Sequence, residues 1–543
     1  MPEHHHPSRA ALALALTPLL ALACMTGSTD SAINDRVALL EGLGEHQYPV
    51  STSDSLAQRY FDQGLRLTYA FNHAEAVRAF EEAARIDPEC AMCHWGTALA
   101  LGPNINAPMD SASAVRAFDA VRRAGSASAA TERERALIAA LATRYAESAP
   151  ADRAALDSAY ARAMSDVASK FPDDLEVQVL SAEAVMDLSP WNYWTADGTP
   201  RPGMGEAIAR LERVLSRAPS HPGACHFFIH AVEAKYPERA VACAERLAEQ
   251  MPAAGHIVHM PGHIYIRVGR YEDAIQANVH AIHADESYIA DQRPSGIYPL
   301  MYYPHNYHFL GFASMMAGQG NRAIEAARAL SERAPAELAR QIPEIQGLMP
   351  YLHLVQATFG RWDDVLREPL PPPDLRFAFG MATYARGLAS AARSDQAGAS
   401  AALDTVRAIA AEVANEPMRT VLTIAVHSLG AEISAKGGDL PEAIAGLRSA
   451  VELEDGLMYI EPPYWHQPVR QMLGAALLDA GHAADAERVY REDLARFPEN
   501  GWSLRGLARV LEAQGRTREA EEVDARFQRS WANADVMLVT SRF

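Results

Sequence analysis

Basic residues are the scarcer charge, 49 Lys and Arg against 68 Asp and Glu, which leaves a formal net charge of -19 over 543 residues. No basic cluster compensates locally, so the chain lacks the positive face that nucleic acid or an anionic membrane surface requires. Neither is expected as a partner. Five cysteines are too few for a disulfide scaffold. The β-branched runs that mark strands are scarce, while Ala and Leu dominate a composition that is 49% hydrophobic, which points to an all-α protein with a large core. No G-x-x-x-x-G-K-S/T, no G-x-G-x-x-G after a strand and no G-x-S-x-G occurs, so nucleotide hydrolysis, dinucleotide redox and serine-hydrolase chemistry find no support. H-I-V-H-M at 256–260 lacks the glutamate of H-E-x-x-H.

The apolar run Ala10 to Ala23 follows Arg9 and is too short for a membrane span, but it fits the core of a signal peptide over residues 1–23. Ala21-Leu22-Ala23 places small residues ahead of Cys24, which resembles a bacterial lipoprotein signal, with lipidation of Cys24 or simple cleavage as the two outcomes. Either predicts an exported protein, periplasmic or in the cell envelope, touching membrane only through an anchor at Cys24. His4, His5 and His6 fall in the removed segment. Residues 24–51 are polar and irregular and read as a flexible tether.

Tyr60, Gly64, Ala76, Phe80, Ala83 and Pro88 then take the aromatic, small, Ala, aromatic, Ala and Pro positions of a 34-residue helix-turn-helix unit starting at 57. The frame recurs with Gly262, Gly269 and Ala274, with Gly311, Gly318 and Ala323, near Gly360, with Ala431, Gly438 and Ala443, with Gly474, Gly481, Ala486, Tyr490 and Pro498, and with Ala508, Gly515 and Ala520. This resembles the tetratricopeptide repeat. Between 110 and 220 the period is degenerate, but Ala-rich amphipathic stretches continue it. The resemblance implies a right-handed helical solenoid over residues 52–535 and a tail at 536–543. Three aromatic, Pro-rich insertions interrupt it, at 187–202, 284–303 and 457–468. Such segments map to loops, often on the binding face.

Ten of the 20 histidines lie between His221 and His308, most of them three or four residues apart, and the His-rich part spans 221–310. His256, His259 and His263 share an arc of about 60° on one helix. In the tetratricopeptide frame they are positions 2, 5 and 9 of their unit, and His305 and His308 are positions 2 and 5 of the next, where the resemblance implies the concave groove. His226, His230 and Glu233 share a face one unit earlier. Two imidazoles three or four apart supply half a transition-metal site, and a neighbouring helix must supply the rest. The expected ion is Cu, Zn or Fe, with Glu233 as a further ligand or a general base beside metal-bound water. His280 and His283 fall on a second helix, outside the site.

Trp191, Trp194, Tyr464 and Trp465 in the insertions, with Tyr265, Arg267 and Asn306, are candidate ligand-binding residues. They would serve a small molecule beside the metal, or a peptide or protein partner in a metal-free groove, which is the alternative reading. Cys90, Cys93 and His94 match the C-x-x-C-H pattern of c-type haem attachment, and the same two cysteines suit a disulfide in an oxidising compartment. Finally H-P-G-A-C-H-F-F-I-H-A-V-E, H-I-V-H-M-P-G-H-I-Y-I-R-V-G-R-Y, P-H-N-Y-H-F-L, E-P-P-Y-W-H-Q-P-V-R and V-Y-R-E-D-L-A-R-F-P-E-N-G-W-S-L together resemble a group of large bacterial tetratricopeptide proteins, many of them exported. That likeness implies the fold and adds no mechanism.

Overall fold

In most of the helix pairs the first helix ends on a residue in the left-handed conformation that turns the chain back. Gly269, Gly318, Gly360, Gly438, Gly481 and Gly515 all sit at φ between 64° and 88°, between the two helices of a pair. Only a residue without a Cβ takes that left-handed conformation freely, which explains why glycine keeps the frame. In the first pair, Ser55–Tyr69 and His73–Ile86, the position belongs to Phe71, at φ 55°. The computed structural model describes residues 37–543. Among them it contains helices and loops, with isolated bridges at Asn104–Ala107 and Trp194–Pro200 in place of strands. None of these helices is long and apolar enough to cross a membrane.

Small residues let neighbouring pairs approach. Phe80 lies against Gly64 of its own pair and Gly96 of the next, and Tyr490 lies likewise between Gly474 and Gly506; a Cβ at any of the four glycines would strike the ring. The result is a tetratricopeptide-type helical solenoid, and it curls tightly enough for distant pairs to meet. Gly223 packs on Tyr69, and the His226 ring reaches the Tyr69 carbonyl. Further on, Gly318 packs on Trp531, and Trp502 Nε1 donates to the Met315 carbonyl at 3.0 Å. The His-rich helices sit where these two closures meet.

Both ends of the described chain are docked. The final part of the expected tether, 37–51, is packed on the solenoid: Tyr60 Oη donates to Val37 O at 2.7 Å, Gln63 bonds Leu40 and Ala38, and Ala253 N donates to Gly42 O at 3.0 Å. Buried side-chain donors and acceptors on the first helix hold a segment whose own composition is polar. The tail is docked as well, with Ser541 Oγ donating to Gln471 O and Phe543 against Phe359 and Trp502. Residues 1–23 and Cys24 lie outside the described residues.

Candidate metal centre

Four helices deliver the imidazoles. Pro222–Val232 carries His226 and His230; Gly255–His259 and Pro261–Arg267, divided at Pro261, carry His256, His259 and His263; Tyr303–Met316 carries His305 and His308. The side chains form two trios, His226 with His230 and His256, and His259 with His263 and His305, each offering ring nitrogens within 4.8 Å of one another. All but His305 are at most 3% exposed. The side of the helices that the repeat frame assigns them to is closed over.

The hydrogen bonds fix which nitrogen carries the proton. His226 Nδ1 lies 2.6 Å from the Tyr69 carbonyl, His230 Nδ1 2.9 Å from Glu233 Oε1, His263 Nδ1 2.6 Å from Glu233 Oε2, and His259 Nδ1 2.7 Å from Asn278 Oδ1. Asn278 Nδ2 donates to Ala274 O at 2.8 Å, which orients that amide with its oxygen toward the ring. Carbonyl and carboxylate oxygens only accept, so these four Nδ1 atoms donate, and each neutral ring has a bare lone pair at Nε2. His259 and His263 then face each other Nε2 to Nε2 at 2.9 Å, and His226 faces His256 in the same way at 3.2 Å. His256 Nδ1 has no partner, so a proton on its Nε2 satisfies that pair. Between His259 and His263 no neutral arrangement makes a bond. A cation between them would satisfy both lone pairs, and a proton in that place would create an imidazolium in a dry site.

Burial disfavours that charge. It holds His226, His256, His259 and His305 well below the ordinary imidazole range, and the neighbouring rings lower them further. Burial also lowers His230, against the opposing pull of Glu233. For Glu233 burial works the other way and would raise the carboxyl, but the His263 and His230 imidazoles outweigh it and bring it down to about 2. A carboxylate that accepts from two ligand imidazoles is the usual outer partner of a metal-binding histidine.

The expected general base is thus occupied. Both Glu233 oxygens serve His230 and His263, which makes it an orienting residue. His308 is not brought in either: its ring meets Tyr351 edge-on at 4.6 Å, and burial lowers it to about 4.

Residues 477–523 match the family described as Tetratricopeptide repeat, on the segment where Tyr490 bridges Gly474 and Gly506. That segment carries the tetratricopeptide repeat. Among solved structures, human IFIT1, in a dimer with m7Gppp-AAAA, is similar at 12% identity over 89% of this chain and 92% of that one, with a TM-score of 0.32. Yeast Tom70 is similar at 12% identity over 90% and 93%, with a TM-score of 0.28. No curated protein matches the sequence.

The insertions into the tetratricopeptide frame converge on the histidines. Trp191 from the first lies 5.1 Å from the His230 ring and 6.4 Å from His263, and its Nε1 donates to Asn106 Oδ1. Asn106 Nδ2 donates in turn to the hydroxyl of Tyr302, which comes from the second insertion and lies 4.7 Å from the His256 ring. Glu461 from the third is fully enclosed, 3.8 Å from Arg267, and burial raises its carboxyl to about 7. The other candidate ligand residues are structural. Trp194 donates to Ala231 O, Tyr265 stacks under Arg270, Asn306 donates to Asp285, Trp465 packs on Tyr384, and Tyr464 is half-buried against the core. Cys90 and Cys93 are bonded to each other and fully buried, which leaves no thiol to carry haem, and His94 Nε2 lies 3.1 Å from Pro88 O. His280 and His283 are exposed and away from the site.

Phe71 was not foreseen. Its ring lies 4.4 Å from His226, 6.0 Å from His230 and 5.3 Å from His256, so the strained turn of the first repeat supplies an apolar wall to one trio. Because only glycine adopts that turn freely, Phe71→Gly should be more stable than Phe71→Ala by about 1 kcal/mol, although both lose the ring. Urea denaturation of the two variants checks the order.

Proposed function

We propose that this tetratricopeptide protein is a transition-metal protein, serving as a metalloenzyme or a metal-binding scaffold, with its ion held in the buried histidine cluster. The facing Nε2 atoms of His259 and His263, with both Nδ1 atoms already committed to oxygen acceptors, carry the reading. Imidazole nitrogens bound to one ion at about 2.0–2.1 Å stand about 3.3 Å apart in a tetrahedral site, close to the separations found. Donors of this kind suit Cu, Zn or Fe. A peptide in a metal-free groove, the alternative reading, would not reach the five imidazoles of His226, His230, His256, His259 and His263, each at most 3% exposed. Export, with lipidation or cleavage at Cys24, is part of the proposal. The buried pairs Cys90–Cys93 and Cys225–Cys243 support it, since disulfides persist in oxidising compartments.

Protein purified without an affinity tag from cells supplied with copper, zinc and iron should carry about one equivalent or more of a transition metal per chain. Less than about a tenth of an equivalent of each contradicts the reading.

A further inference from the structure

We propose that the centre is dinuclear, with one ion held by His226, His230 and His256 and the other by His259, His263 and His305. This rests on the metal reading above and extends it. The two trios share no residue, yet their rings interleave, with His230 5.3 Å from His263 and His256 5.8 Å from His259. The one group that joins them is His230, Glu233 and His263, and there the contacts are hydrogen bonds from Nδ1 to carboxylate. Glu233 thus orients one ligand in each trio and contributes a single negative charge to the pair of sites.

Each trio supplies three protein donors, one fewer than a closed tetrahedral site, so each ion keeps a position for a small ligand. Charge limits what that ligand is. Two divalent ions on neutral imidazoles, set against one carboxylate, leave a buried excess of positive charge that a small anion such as hydroxide would offset.

A further cluster, His46, Glu176 and His221, brings similar groups together but is wired the opposite way. Ala224 N donates to His221 Nδ1 at 3.2 Å, so a neutral His221 carries its proton on Nε2, which faces Glu176 at 3.4 Å. Glu176 also accepts from the Tyr69 hydroxyl and pairs with His46. No bare imidazole nitrogen is presented by His221, so the expected count is two ions and not three.

The test uses the full chain with His4, His5 and His6 replaced by alanine, stripped of metal and titrated separately with Zn(II) and with Cu(I) against a competing chelator. About two equivalents of at least one metal should remain after desalting, and His226→Ala/His256→Ala and His259→Ala/His263→Ala should each retain about one. One equivalent in the parent protein overturns the dinuclear assignment but leaves the metal reading intact. None overturns both. The parent stoichiometry decides the matter even if a double variant fails to fold, and circular dichroism identifies such a variant. Loading with Cu(II) gives an independent readout: two ions this close should suppress or split the ordinary paramagnetic resonance of isolated Cu(II), and an unperturbed two-equivalent signal overturns the proposal.

Discussion

Glu233→Ala should lower the affinity for zinc or copper about 10- to 100-fold, the usual consequence of removing an outer partner of metal-bound histidine. The same variant without metal should be less stable by about 1–3 kcal/mol for each of two orphaned donors, His230 Nδ1 and His263 Nδ1, because Glu233 is fully buried. Glu233→Gln separates the two effects. Its amide has one oxygen, so one imidazole keeps its donor at Nδ1, while the other must move its proton to Nε2 to accept from the amide NH2. That ring is lost as a ligand while the cavity stays filled. The glutamine variant should therefore recover much of the stability and only part of the metal affinity. Chelator competition and urea denaturation on the three proteins check this, and an alanine variant that binds as tightly as the parent removes Glu233 from the account.

Trp502→Ala should cost about 3–5 kcal/mol, as for other large core aromatics. Trp502 is fully buried among Trp531, Phe359 and Phe543, and its indole holds the Met315 carbonyl 187 residues away. In an open repeat array a defect near one end stays local. Here the last repeats are docked on the middle of the chain through Trp502, through Trp531 against Gly318, and through Asp535 against Gly320. The variant should thus lose cooperativity as well as stability, with the region from 467 onward exchanging its amide hydrogens ahead of the rest. A uniform drop in protection along the whole chain would show that the closure is not the weak joint.

The helix pairs were legible because their signals are local. Glycine at 269, 318, 360, 438, 481 and 515 is demanded by the turn itself, and the small-against-aromatic pairing of Gly64 with Phe80 lies within one unit. The histidines were legible as faces of single helices, which is why His226, His230, His256, His259, His263 and His305 were all named. Periodicity fixes direction but not distance. His308 shares a face with His305 yet meets Tyr351 of the helix Tyr351–Thr358, and nothing in its own helix distinguishes the two. The outer partners lie further from reach: the Tyr69 carbonyl is 157 residues from His226, and a backbone oxygen leaves no mark in a sequence. Phe71 did leave one, a bulky residue where six later units keep glycine. Glu233 was found, but its role depends on which helix crosses it, and that is set by the curl of the array.

The central claim is that these imidazoles bind metal directly, and X-ray absorption on the metal-loaded protein tests it most directly. The account predicts a first shell of nitrogen at about 2.0–2.1 Å with the multiple scattering of imidazole rings, about three per ion. A first shell of sulfur, or of oxygen without imidazole scattering, would contradict it.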